Sequence, residues 1–295
     1  MLRIRLSENF RAVFYAPFYA TEALDCFASE GVQVELVDSP SPGAATAGLL
    51  DGSLDVSWGG PMRVMKARNE VAGPPLVAFC EVVRRDPFFL VARPGLPSFG
   101  LADLGHLRFA SVNEVPTPWL CLQHDLREIG LDPAAVRRVA DRSMAENLAA
   151  LGAGSLDVAQ MFEPFAARAE REGTGRIVHA ASARGETSYT TFLATRGSVA
   201  RNRDAFAAMT RAVGRMQSWL ATHTAGDLAD VVRAFYPAVD PADLVAAFTR
   251  YRAAGLWATD TTVSRPGFER LALSLQSGGF IAVRPPYEDC VVDLG

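Results

Sequence analysis

The feature that most constrains the fold is the five-residue sequence GSLDV, which occurs at residues 52–56 and again at 154–158. Each copy follows a helix-like stretch and precedes a short turn that leads into another helix-like stretch. The Leu and Val side chains would fill a sheet, while Asp55 and Asp157 stand at strand starts and could accept hydrogen bonds from local amides. The repeat therefore predicts two α/β units built on one plan.

Strand-like and helix-like segments alternate over the first two-thirds of the chain, and from about residue 200 the pattern is nearly all helical. Pro17 and Pro118 suit first helical turns, and Ser143 with Glu146 forms a capping box. The alternation predicts an α/β fold in which each unit is a mostly parallel sheet flanked by helices. The predicted strands are 2–6, 32–38, 54–58, 75–83, 87–95, 107–113, 135–140, 156–162 and 188–196.

Composition excludes several classes of protein. The 295 residues carry a formal net charge of −4, which gives no basic footprint for nucleic acid, and no apolar run is long enough to span a membrane. The four cysteines lie far apart without CxxC spacing, so neither a disulfide framework nor a structural zinc site is expected. The N-terminal MLRIRLSENF reads as a strand, so we expect a cytoplasmic protein, or a periplasmic one if an export signal has been removed.

Three turns at predicted strand ends are candidate binding sites, because open parallel sheets bind ligands beyond the carboxyl ends of their strands. Gly59 and Gly60 in the first turn would let the backbone approach a ligand, and Thr117 in the second offers a hydroxyl. Each turn alone also reads as an ordinary Gly/Pro turn, but their matching places in two units favour a cleft for a small molecule. The turns are WGGPM, NEVPTPW and QMFEP.

The loop after the first strand, SENFRAVFYAPFY (7–19), holds a cluster of aromatic side chains with one amide and one arginine. Asn9, Phe10 and Tyr15 would suit a flat or aromatic ligand at a strand's carboxyl end. The alternative is that these rings form an apolar lid on the N-terminal helix.

The segment FYAPFYATEALDCFASEGVQVELVDSPSPGAATAGLLDGSLDVSWGG resembles the type 2 periplasmic solute-binding proteins of ABC transporters. The branch is the one that includes the sulfonate, taurine, nitrate and thiamine-pyrimidine binders and the thiamine-pyrimidine synthases. In the second half, LDVAQMFEPFAARAE and TTFLATRGSVARNRDAFAAMTRAV are similar to further segments of that family. The resemblance spans nearly the whole chain and implies the family's two-lobe fold with a ligand cleft between the lobes.

The resemblance also implies domain boundaries. One lobe would comprise residues 1–83 plus 190–295 and the other residues 87–186, with hinge crossings near 82–86 and 186–190. Arg11 or Arg84 could form forked bonds to an acidic ligand group, although each could equally be a solvated surface arginine. By position, the ligand-binding candidates are Asn9, Phe10, Arg11, Tyr15, Gly59, Gly60, Pro61, Arg84, Val115, Pro116, Thr117 and Glu163.

The resemblance implies a solute-binding protein of an ABC-type importer, which captures a small aromatic, sulfonate or pyrimidine-like molecule by hinge closure without a cofactor. The implied partners are that small molecule and an ABC permease. Two alternatives stay open: an enzyme on the same fold, such as a thiamine-pyrimidine biosynthetic protein or a decarboxylase- or desulfinase-like enzyme, and a cytoplasmic ligand sensor. The chain lacks the synthases' dense cysteine run and donor histidine, which weighs against the first.

Overall fold

The computed structural model describes residues 2–8, 10–39, 41–70 and 76–295, and within them the chain forms two five-stranded sheets. The first sheet has the order β2-β1-β3-β10-β4 and the second the order β7-β6-β8-β5-β9. The strands are β1 (Leu2–Ser7), β2 (Val32–Val37), β3 (Val56–Gly59), β4 (Leu76–Val83), β5 (Phe89–Ala92), β6 (Arg108–Ala110), β7 (Arg137–Val139), β8 (Val158–Met161), β9 (Arg176–Ala180) and β10 (Thr190–Thr195).

Helices flank both sheets and fill most of the chain after β10. The predicted first-turn prolines, Pro17 and Pro118, and the capping box of Ser143 and Glu146 are confirmed. The helices are α1 (Ala16–Ala23), α2 (Cys26–Ser29), α3 (Pro42–Asp51), α4 (Met62–Glu70), α5 (Thr117–Glu128), α6 (Met144–Gly152), α7 (Phe165–Arg171), α8 (Arg196–Arg201), α9 (Arg203–Thr222), α10 (Ala225–Val232), α11 (Pro241–Ala253), α12 (Arg265–Ser277) and α13 (Tyr287–Cys290).

The helix that starts with the predicted first-turn Pro17 is short, and a second helix follows it closely. Asp25 takes a left-handed conformation with φ 55°, so α1 ends at Ala23 and α2 begins at Cys26. Asp is one of the few residues besides Gly that adopts this conformation readily, because its short polar side chain can bond locally.

The two-lobe α/β class is confirmed: in each sheet four strands run in one direction, as the predicted mostly parallel sheets require, and one strand runs antiparallel to them. In the first sheet β1 pairs in parallel with β2 and β3, whereas β10 is antiparallel to β3 and β4. In the second sheet β6 pairs in parallel with β7 and β8, whereas β5 is antiparallel to β8 and β9. β5 and β10 each enter their sheet from the other unit, without the crossover helix that joins parallel neighbours.

The GSLDV repeat builds the same arrangement in both sheets. Asp55 accepts hydrogen bonds from the backbone amide of Arg5, at 2.9 Å, and from its Nε, at 3.1 Å. Asp157 accepts the corresponding bonds from Arg108, both at 2.9 Å. The prediction that these carboxylates bond local amides is wrong, because the amides belong to the strands that pair alongside, β1 and β6.

The helices after β10 connect the two units. α9 packs on α1 and α2, while α12 packs along α5. Leu120 and Cys121 of α5 share one apolar cluster with Phe268 and Leu271 of α12. Nowhere in the described part of the chain is a helix long and apolar enough to cross a membrane.

Candidate functional site

A small cavity of about 30 Å³ lies where the carboxyl ends of β1, β3 and β6 meet the two chain crossings; we call it the cleft cavity. This volume is enough for about one water molecule. Its walls come from both units, as expected for a ligand site at the carboxyl ends of parallel strands. The lining residues are Phe10, Phe14, Tyr15, Gly60, Met62, Arg63, Phe88, Val115, Pro116, Thr117 and Tyr189.

Aromatic rings form much of the wall of the cleft cavity. The ring centroids of Phe14 and Tyr15 lie 4.3 Å apart, and Phe10 meets Tyr15 edge-on at 5.4 Å. Phe88 and Tyr189, from the two crossings, lie 6.3 Å apart. Such a wall favours apolar or flat organic groups and excludes water.

Gly60 brings the turn after β3 close to the second crossing. A Cβ at this position would lie 3.3 Å from the carbonyl oxygen of Tyr189 and 3.3 Å from the Met62 side chain. These distances are tighter than most Cβ contacts, so glycine allows the close approach that narrows the cavity.

Arg63 is the charged side chain in this wall. It lies in the first turn of α4, where the helix dipole disfavours a cation, so helix stability does not explain its placement. Its Nη1 lies 3.5 Å from the Thr46 hydroxyl, and no carboxylate in the described part of the chain forms an ion pair with it. Burial lowers the pKa of Arg63, yet an arginine stays protonated in proteins. The site therefore presents a half-buried positive charge.

Two hydroxyls add polar groups to the wall. The Tyr189 hydroxyl is buried and has no hydrogen-bond partner among the described residues, and burial raises the pKa of this phenol. Thr117 Oγ1 lies 2.7 Å from Met62 Sδ, a contact between the first residues of α5 and α4. A buried polar atom without a partner requires an explanation.

The structure brings together six of the predicted binding residues around the cleft cavity: Phe10, Tyr15, Gly60, Val115, Pro116 and Thr117. Gly59 and Pro61 lie beside them but do not line the cavity; Gly59 belongs to β3 and pairs with Thr191. Asn9 lies outside the described residues.

The two arginines proposed from the sequence are engaged elsewhere. Arg11 is 42% exposed, and its Nη2 lies 2.9 Å from a carboxylate oxygen of Glu8. Arg84, at the first crossing, pairs through Nε with Glu81 at 2.7 Å and through Nη1 with Asp260 at 2.9 Å. Neither lines the cleft cavity.

Glu163 is fully buried and also lies outside the lining of the cleft cavity. Its carboxylate accepts the amide of Ala167 at 2.7 Å and pairs with Arg250. Burial raises the pKa of Glu163, and the Arg250 charge opposes that shift. These contacts give the side chain a structural role at the start of α7.

The predicted binding residues did not include five lining residues: Phe14, Met62, Arg63, Phe88 and Tyr189. The available signal for Arg63 was its position two residues after the Gly-Gly-Pro turn, in a first helical turn that disfavours a cation. Phe88 and Tyr189 flank the predicted crossings, where side chains from the two units converge.

A second, larger cavity of about 490 Å³, which we call the outer chamber, adjoins the cleft cavity and shares three lining residues with it. The shared residues are Met62, Arg63 and Pro116. The outer chamber is lined by Gly43, Thr46, Leu50, Met62, Arg63, Lys66, Ala67, Glu70, Leu76, Pro116 and Phe280. Within the described residues, no group of three or more His, Cys, Asp or Glu side chains is placed to hold a metal ion.

The fold is that of the periplasmic binding proteins. The periplasmic aliphatic sulphonate binding protein SsuA from Escherichia coli superposes with a TM-score of 0.75 at 15% identity, covering 99% of this chain and 92% of that one. A ligand-binding component of an ABC-type import system from Staphylococcus aureus superposes with a TM-score of 0.76 at 14% identity, covering 99% and 97%.

A sequence relative and a family model extend this likeness. The chain is 25% identical over 293 residues to the "Putative binding protein YtlA" of Bacillus subtilis (strain 168), covering 99% of this chain and 88% of that protein. The model of the NMT1-like family matches residues 10–233. The chain therefore belongs to the NMT1-like family.

Proposed function

We propose that this protein is the solute-binding component of an ABC-type importer and that it takes a small organic anion into the cleft cavity. The observation that carries the proposal is Arg63, a half-buried cation in the cavity wall with no carboxylate partner among the described residues. A guanidinium in this setting gains a strong, charge-assisted bond from a carboxylate or sulfonate.

The relatives support the class of function. The Escherichia coli neighbour is by name a periplasmic sulphonate-binding protein, and the Staphylococcus aureus neighbour is the ligand-binding component of an import system. Under this proposal the chain works with an ABC permease and, like the Escherichia coli neighbour, in the periplasm.

We assign a role to each residue according to the part of the cleft cavity that it lines. Arg63 binds the anionic group, and the Tyr189 and Thr117 hydroxyls complete its hydrogen bonds. Phe10 and Tyr15 pack against the carbon that bears the anionic group. These assignments follow from the shared lining of the cleft cavity.

We propose that ligand entry requires the two units to separate. The lobes would be residues 1–83 with 190–295, and residues 87–186, moving about crossings near 82–86 and 186–190. A cavity of about 30 Å³ is too small for an organic molecule, so binding must enlarge it. The contact of α12 with α5 would have to shift in that motion.

The test is calorimetric titration with a panel of alkanesulfonates, aromatic carboxylates and nitrate, each organic anion matched by an uncharged analogue. We expect at least one anion to bind and its analogue to fail. Arg63→Gln should weaken the binding about 10- to 100-fold, because a hydrogen bond to a charged group is lost.

Arg138→Gln is the matched control. Arg138 is also partly buried with a pKa lowered by burial, but it stacks on Trp119 away from both cavities. Equal binding by the wild type and Arg63→Gln would contradict the proposal. Recovery of the bound compound at a changed mass would favour the enzyme alternative.

A further inference from the structure

The two adjoining cavities differ in volume by more than tenfold, about 30 Å³ against about 490 Å³. The cleft cavity can hold an anionic group next to Arg63 only if it widens, and it has no room for a sizeable organic substituent. The outer chamber has the volume of an ordinary small-molecule site. A ligand attached at Arg63 would therefore place the rest of its structure in the outer chamber.

We infer that the ligand of this site is an amphiphilic organic anion, with its charged group at Arg63 and an apolar chain or ring in the outer chamber. This inference rests on the proposed function, because it assumes that Arg63 binds an anion. It goes further by naming a second subsite and the part of the ligand that occupies it.

The continuity of the two cavities is the first support. Arg63 lines both, and so do Met62 and Pro116, so the guanidinium stands at their junction. The Met62 thioether, in contact with the Thr117 hydroxyl, stands in the partition between them. Methionine is unbranched and flexible, so this partition can adjust to the apolar chain of a ligand that extends from one cavity into the other.

The side chains around the outer chamber are the second support. Leu50, Ala67, Leu76 and Phe280 supply apolar wall. Leu50 is 54% exposed, which is high for a leucine in the wall of a cavity, and a bound apolar group would cover it. Covering such surface is favourable at about 25 cal/mol per Å².

The charged side chains around the outer chamber determine which end of the ligand lies at Arg63. Lys66 lies with its Nζ 4.5 Å from the centre of the Phe280 ring and 3.6 Å from a Glu70 carboxylate oxygen. Lys66 and Glu70 therefore offset each other, whereas Arg63 has no such partner among the described residues. The anionic group is thus drawn to the junction, and the apolar group is left for the chamber.

The test is titration with a series of linear alkanesulfonates from ethanesulfonate to octanesulfonate, with 1-octanol as the uncharged control. We expect affinity to rise by about fourfold for each methylene that enters the chamber. Octanol should bind far more weakly than octanesulfonate.

Two variants test whether the alkyl chain of the ligand lies in the outer chamber. Ala67→Trp should fill the chamber and remove the gain from chain length, while leaving ethanesulfonate affinity within about twofold. Ala246→Trp, on an exposed position of α11 outside both cavities, is the matched control and should change neither. Leu50→Asp places a negative charge at the exposed edge of the chamber and tests the same point if Ala67→Trp does not fold.

The outcomes separate the two proposals. Binding of ethanesulfonate that depends on Arg63 but does not strengthen with chain length would overturn the inference and leave the proposed function standing. A gain with chain length that survives both Ala67→Trp and Leu50→Asp would also overturn it. Failure of every anion to bind would overturn both.

Discussion

The two GSLDV segments are built alike, but the residues that follow them do different work. In both sheets a glycine with positive φ, Gly52 or Gly154, ends the preceding helical segment, and its carbonyl accepts a bond from an arginine that also holds the aspartate. After the first segment the chain places Arg63, which has no carboxylate partner among the described residues, at the cleft cavity. At the matching turn after the second, it buries Glu163 against Arg250.

This contrast separates scaffold from site. The aspartate and arginine that the halves share tie each strand to its neighbour and lie outside both cavities. The two residues contrasted above, Arg63 and Glu163, come seven and five positions after the repeat, where the strand has ended. Similar sequence therefore marks the framework here, and the site lies where the similarity ends.

The largest expected effect comes from removing the buried carboxylate at the second turn. Glu163→Ala should lower the free energy of unfolding by about 3 kcal/mol, because Arg250 and the Ala167 amide lose their partner. Pro61→Ala, at the matching place in the first unit, should cost less than 1 kcal/mol. Urea unfolding followed by circular dichroism measures both, and equal losses would return Glu163 to the list of ligand-binding candidates.

A smaller effect should distinguish the two shared aspartates. We expect Asp157→Asn to cost about 2 kcal/mol and Asp55→Asn about 1 kcal/mol, since hydrogen bonds to charged groups contribute about that much. Asp157 bonds to both Arg93 and Arg108, and its side chain is 10% exposed, against 19% for Asp55.

The pH dependence checks the cause of the Asp157 effect. The bonds from Arg108 and Arg93 hold the pKa of Asp157 well below its usual range, despite some opposing desolvation. A lowered pKa contributes stability that is present above the unfolded-state value of about 3.9 and is lost as the pH falls toward the folded-state value. The gap between wild type and Asp157→Asn should therefore be widest near neutral pH and narrow below about pH 4. A gap that stays constant with pH would contradict this.

An effect as small as that of Asp55→Asn is expected for Arg93, the second arginine that bonds to Asp157. Arg93→Gln should cost about 1 kcal/mol, because Arg93 is partly exposed and Arg108 remains bound to Asp157. In a double-mutant cycle, Asp157→Asn made in the Arg93→Gln background should lower the free energy of unfolding by about as much as Asp55→Asn does. A coupling energy near zero would mean that Arg93 is not responsible for the difference between the halves.

Local signals in the sequence were sufficient for the elements and for part of the site. The capping residues, the repeat and the aromatic first loop are each visible within about ten residues, and Phe10 and Tyr15 do line the cleft cavity. The two antiparallel strands were not visible, because strand direction is set by the path of the chain between the units. Propensity carries no information about that path.

The arginines show why the charged part of the site was harder to predict. Arg84 is paired with the nearby Glu81 and also with Asp260, which lies 176 positions later in the chain, so its second partner cannot be read from neighbouring residues. In the sequence, Arg63 resembles a solvated arginine on a helix. Its proposed role in binding an anion depends on the absence of a carboxylate partner among the described residues, which only the tertiary structure shows. Partner assignment across long sequence separations requires the tertiary structure.

The position of β10 has a consequence for the order in which the chain can fold as it is synthesised. β10 lies between β3 and β4, so the first sheet lacks its fourth strand until residue 195 has been made. The strands of the second sheet, from Phe89 to Ala180, are all complete before that point. A growing chain therefore exposes unpaired edges of β3 and β4 for more than a hundred residues of synthesis, and such edges favour misassembly with other chains. The first sheet, which contains the first strand to be synthesised, is therefore the last of the two sheets to be completed.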